Sequence, residues 1–109
     1  MIKLAILKVK PNEESRLRSW MTELTRRNNE VLETFAQEGV RHEQAYLLKT
    51  GDGPILIYAV EALDQDRAAL AFRNSKLAID AEHKQLMGRV LGGSVDAELL
   101  YECKVEGAG

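Results

Sequence analysis

His83 follows Asp80 by three residues in the segment Ile79-Asp80-Ala81-Glu82-His83. On a helix, side chains three apart are neighbours, and a carboxylate beside an imidazole raises its pKa and fixes its tautomer. Such a pair can act as general acid or base. His83 is therefore the candidate catalytic group, and Asp80 its orienting partner. The plainer alternative is a histidine bonded locally at the core edge, with Asp80 in solvent. A second polar group lies at His42, Glu43 and Tyr46. On a strand His42 and Tyr46 share one face and Glu43 takes the other, so Glu43 is a candidate carboxylate inside a pocket or, alternatively, part of a solvated strand end. Asn28 falls within a helical apolar stripe, as a cavity-lining amide or a buried one bonded to backbone. Trp20 and Tyr58 complete the expected substrate contacts: Glu43, Asn28, Trp20 and Tyr58.

The elements that must position these residues follow from hydrophobic period. Met1 to Lys10 reads as a strand ended by Pro11 and Asn12, apolar on both faces. From Glu13 to Glu38 the residues Leu17, Trp20, Met21, Leu24, Val31, Leu32 and Phe35 form one stripe of a long helix, with Asn12 as N-cap and Gly39 as its stop. Val40 to Lys49 and Pro54 to Glu61 are strands of a hairpin around Thr50-Gly51-Asp52-Gly53. The second of these is again apolar on both faces. A helix over Asp64 to Phe72, capped by Asp64, precedes another over Lys76 to Leu91, capped by Ser75 and stopped by Gly92-Gly93. A last strand spans Ser94 to Val105. Residues 1–105 are expected to form a single domain and residues 106–109 a flexible tail.

Composition narrows the function classes. The 109 residues are 45% hydrophobic and 29% charged, with a net charge of -2. That balance argues against a general nucleic-acid binder, which shows a basic face. The longest apolar run, Ile55 to Val60, is far short of the roughly 20 residues of a membrane span, so no membrane partner is expected. A single cysteine, Cys103, forms no intramolecular disulfide, and no Cys/His cluster has zinc-ligand spacing. A reducing cytoplasm and a cofactor-free protein are the expectation. Phosphate loops, nucleophile elbows and HExxH motifs are absent.

The order strand, helix, strand, strand, helix, strand is the split βαβ arrangement of an α+β, ferredoxin-like domain. Both helices then cover one face of a four-stranded antiparallel sheet. The other face would expose an apolar patch larger than soluble monomers usually tolerate, and a homodimer pairing two sheets removes it.

Trp20-Met21, Glu30-Val31-Leu32-Glu33-Thr34, Glu38-Gly39-Val40 leading into Glu43, Ser75 and Ile79 to His83 together resemble a family of small bacterial proteins of unknown function. That family belongs to the dimeric α+β-barrel superfamily, with antibiotic-biosynthesis monooxygenases, haem-degrading monooxygenases, muconolactone isomerases and rhamnose mutarotases as distant relatives. The resemblance covers about residues 2 to 102 and implies a pocket in each subunit between sheet and helices. Haem-degrading relatives carry an axial histidine where His83 stands, yet they also use an asparagine on the first strand, which this chain lacks. The expectation is a homodimer with an internal pocket for a small organic molecule, carrying out cofactor-free acid–base chemistry of isomerase or monooxygenase type. The alternative is a non-catalytic small-molecule-binding or structural dimer.

Overall fold

A computed structural model describes residues 1–105; the expected tail at 106–109 lies outside the described residues. The chain runs β1 (Ile2–Val9), α1 (Glu14–Arg26), α2 (Asn28–Glu38), β2 (Val40–Thr50), β3 (Gly53–Ala62), α3 (Gln65–Arg73), α4 (Ala78–Val90) and β4 (Leu91–Val95). The four strands form one antiparallel sheet in the order β2-β3-β1-β4. This is the expected α+β, ferredoxin-like architecture.

The long helix expected over Glu13 to Glu38 is two helices. The break falls at Arg27, whose backbone leaves the helical region at φ -98° and ψ 37°. Its guanidinium donates to both carboxylate oxygens of Glu30 at 2.8 Å, and to those of Glu82 on α4 at 2.7 and 3.1 Å. Bidentate pairing of this kind fixes direction as well as adding energy, so the bend and the docking of α2 on α4 are set together. The bend also turns Asn28 into solvent. A position that falls on the stripe of one straight helix leaves it once the axis changes direction.

Four other boundaries differ from expectation. Asn12 does not cap α1; it takes the left-handed conformation at φ 72°, which Asn tolerates better than most residues, and Glu13 becomes the N-cap. Helix α4 starts at Ala78, with the Ser75 hydroxyl accepting from the Leu77 amide at 3.2 Å ahead of it. It ends at Val90, and Gly92 and Gly93 lie inside β4 rather than stopping the helix. Asp64 caps α3 as expected, accepting from the Arg67 amide at 3.1 Å. The last strand is far shorter than Ser94 to Val105. Only Ser94 and Val95 of that stretch pair with β1, opposite Leu7 and Ile6. Residues 96–105 run on without helix or strand and are exposed throughout, while Ile2 to Ala5 of β1 pair only with β3.

Period-two alternation sorts the sheet into two faces. Lys3, Ala5 and Leu7 of β1 stand beside Val60, Tyr58 and Leu56 of β3 and, across these, Glu43, Ala45 and Leu47 of β2. This face meets the helices, and Leu56 and Tyr58 pack there with Val9, Leu17 and Val90 in the core. The opposite face carries Ile2, Leu4, Tyr46 and Leu48, which are 64%, 49%, 52% and 48% exposed. Among the described residues, no helix is long and apolar enough to cross a membrane.

Gly39 ends α2 at φ 74°, its amide donating to the Phe35 carbonyl at 2.9 Å, with open space where a Cβ would stand. A side chain there meets only the backbone cost of the left-handed region. We expect Gly39→Ala to lower unfolding free energy in urea by about 1 kcal/mol.

Candidate functional site

Between the helix-facing side of the sheet and all four helices lies a cavity of about 330 Å³. Its walls are mainly apolar: Leu24, Val31 and Phe35 descend from α1 and α2, Ala68 and Phe72 from α3, Ile79 from α4 and Val60 from β3. The polar lining is Lys3, Thr34, Glu38, Glu43, Tyr58, Gln65, Asp80 and His83. The amphipathic period of each helix brings these side chains inward: Asp80 and His83 are one helical turn apart on α4, as are Thr34 and Glu38 on α2.

His83 is held by aromatic residues from three elements. The Trp20 indole N–H of α1 donates to His83 Nδ1 at 2.8 Å. Tyr58 Oη lies 3.3 Å from His83 Nε2, and the Phe72 ring stands edge-on to the imidazole at 5.8 Å between centroids. Because the indole nitrogen only donates, Nδ1 must be the unprotonated nitrogen, and the proton of the neutral ring sits on Nε2, facing Tyr58. Burial holds the imidazole below its usual pKa, opposed by the charge of Asp80. Burial, with the charge of Glu43 behind it, likewise keeps the Tyr58 phenol protonated. His83 is therefore neutral, with its basic nitrogen already occupied.

Asp80 does not orient His83. It is 3% exposed and accepts a hydrogen bond from the Thr34 hydroxyl of α2 at 2.5 Å. The tautomer is set by Trp20 instead, a residue 63 positions away whose partnership no local spacing announces. Of the residues singled out from the sequence, His83, Asp80, Glu43 and Tyr58 line the cavity. Trp20 reaches it through His83. Asn28 lies outside, exposed at the start of α2.

The residue that sequence reasoning passed over is Glu38. It is 8% exposed, lines the cavity, and has no hydrogen-bond or ion-pair partner among the described residues. Burial raises its pKa to about 7, with the charges of Asp80 and Glu43 adding to the rise and Lys84 opposing it. Glu43 belongs to an exposed residue position, yet its carboxyl lies on the helix side of the sheet, where burial raises its pKa too. The signal for Glu38 was present: it stands seven residues after Val31 and three after Phe35, a glutamate on the apolar stripe.

A match to a family model spans residues 1–106. The chain belongs to DUF6176, a family of unknown function. No curated protein matches it. DUF6176 membership accordingly assigns no reaction, and the chemistry of this member must be argued from its cavity. Among the described residues no group of three His, Cys, Asp or Glu is placed to hold a metal ion.

Two measurements check this geometry. A carboxyl whose folded pKa is raised binds its proton more tightly when folded, so its stabilising effect is complete below the unfolded value and is lost as pH rises through the folded one. For Glu38 that window runs from 4.5 to about 7. Urea unfolding across it should show the stability of wild type falling relative to Glu38→Gln by roughly 1–3 kcal/mol. Separately, ¹⁵N imidazole shifts should report His83 as the Nε2–H tautomer near neutral pH. Trp20→Phe should give a mixture of both tautomers and cost about 1–2 kcal/mol of stability.

Proposed function

We propose that this DUF6176 protein is a homodimer of the α+β-barrel type, each subunit of which holds a small, largely apolar organic molecule in the cavity beneath its helices. The observation that carries the reading is the combination at one place of apolar walls, a volume within the roughly 300–1,000 Å³ typical of ligand sites, and Glu38, a buried residue whose carboxyl opens onto the cavity with no protein partner among the described residues.

The acid–base capacity of the cavity resides in its carboxyls rather than in His83. A group with a pKa near the working pH exchanges protons most effectively, and Glu38, raised to about 7, meets that condition. The Tyr58 hydroxyl, which receives the Nε2–H of His83, is the hydrogen-bond donor on the same cavity wall. Proton-transfer chemistry of isomerase type, or cofactor-free oxygenation of an electron-rich substrate, suits this set. One observation favours the second reading, a binding protein without catalysis: both nitrogens of His83 are engaged within the protein.

Two surfaces support the dimer. The helix-free sheet face carries Ile2, Leu4, Tyr46 and Leu48 about half exposed or more, and the extended segment after β4 leaves Leu99, Leu100, Tyr101 and Val105 each at least 76% exposed. A second copy with two-fold symmetry presents the same apolar face in return. The lone cysteine, Cys103, is free, in keeping with a reducing cytoplasmic setting.

Light scattering should give about 24 kDa, twice the 12.2 kDa chain. Leu4→Asp with Leu48→Asp should reduce this to the single-chain mass without loss of helical circular dichroism, and a wild-type monomer at micromolar concentration would refute the dimer. A thermal-shift screen of small organic molecules tests the cavity. A ligand at 100 times its Kd adds about 2.7 kcal/mol, or on the order of 10 °C for a domain of this size. That shift should appear in wild type and be absent from His83→Ala.

A further inference from the structure

Counting unused hydrogen-bonding capacity around the cavity identifies the kind of molecule that would complete it. The donors are largely committed. The Thr34 hydroxyl is given to Asp80. The Gln65 amide nitrogen donates to the carbonyls of Met1 and Val60, both at 2.9 Å. The imidazole Nε2–H faces Tyr58, and the Tyr58 hydroxyl has Met87 Sδ at 3.9 Å as its other neighbour. Lys3 is an exposed position and forms no ion pair with the cavity carboxyls among the described residues.

The acceptors are not committed. Among the described residues Glu38 and Glu43 have no partner, Asp80 has one oxygen beyond the one that meets Thr34, and the Gln65 amide oxygen is free because its nitrogen is fixed by two carbonyls. Every fully enclosed side-chain nitrogen or oxygen among the described residues has a hydrogen-bond partner. The unpartnered oxygens of Glu38 are therefore not sealed inside protein; they open onto the cavity that the residue lines. Those oxygens are acceptors offered to whatever enters the cavity, and a ligand rich in donors would engage them.

We propose that the cavity takes an organic ammonium: a protonated amine on an apolar or aromatic body, with the ammonium directed to Glu38, Glu43 and Asp80 and the body against Leu24, Phe35 and Phe72. This names the ligand class for the site proposed above and rests on that reading. Binding is linked to protons. The groups facing Glu38 are Asp80 and Lys84 from α4 and Glu43 from β2, with Lys3, Tyr58 and His83 on the same cavity wall. An ammonium beside Glu38 offsets the burial and the charges of Asp80 and Glu43 that keep its proton on, and so draws that proton off. Amine affinity should accordingly rise as pH increases through 7.

Calorimetric titration at pH 7 with 2-phenylethylamine, 2-phenylethanol and 3-phenylpropionate tests this, run in phosphate and in HEPES to read proton exchange from the difference in heat. The amine should bind at least tenfold more tightly than the alcohol or the acid. Glu38 starts about half protonated at pH 7, so binding should release up to about half a proton per amine. Glu38→Gln should weaken amine binding at least tenfold, abolish the release and leave the alcohol unaffected; Glu43→Gln should weaken the amine as well. Alcohol or acid binding as tightly as the amine, with Glu38→Gln neutral, overturns the ammonium assignment alone. So does silence from all three probes when the thermal-shift screen yields a neutral or anionic ligand. Silence from the probes and the screen together overturns the ligand site itself.

Discussion

The guanidinium of Arg27 joins three helices at one point. It belongs to the break between α1 and α2, grips Glu30 on the next turn, and reaches Glu82 on α4. Its side chain is only 13% exposed, and protein acceptors at the helix surface meet its N–H donors. Two bidentate carboxylates do so, using the planar fork that lysine lacks. The bend that results sends α2 across the sheet with Thr34, Phe35 and Glu38 facing inward, beside Asp80 and His83 on the helix that Glu82 anchors. Space beneath the helices is thus a product of how they are tied together at their outer surface.

Inside that space, hydrogen bonds divide the polar groups into two sets. Trp20, His83 and Tyr58 form a chain in which each member is already engaged, and its electrical state is neutral. Glu38, Glu43 and Asp80 form an acidic set in which burial more than repulsion raises the carboxyls of Glu38 and Glu43, and among the described residues only Asp80 has a partner. The first set gives rigidity. The second leaves interaction energy unspent, and such like-charge clustering with desolvation is characteristic of sites that hold something.

Much of the architecture was legible in the residues. Apolar stripes at period 3.6 and strands apolar on both faces imply the element order, the helix-covered face and the uncovered one. The helix break was not legible, because Arg27 pairs with a residue 55 positions later and local periodicity carries no information about that. For the same reason Asn28 read as inward. The short β4 escaped too: Leu99, Tyr101 and Cys103 alternate as a strand should, but alternation records what a segment can pair with and not whether its own sheet offers the edge. In the site, the spacing of Asp80 and His83 puts them on one face of α4, and both line the cavity. It could not show that Thr34 and Trp20, on other helices, would take the bonds the two might have made with each other.

The chain contains a single tryptophan, and that indole is the one bonded to His83. Its emission is therefore coupled to one imidazole at the edge of one cavity. An imidazolium quenches a neighbouring indole, whereas a neutral ring accepting its N–H does so far less. Anything that alters the charge or position of His83 is thereby written into the protein's native fluorescence, so the molecule carries its own optical probe of the cavity wall.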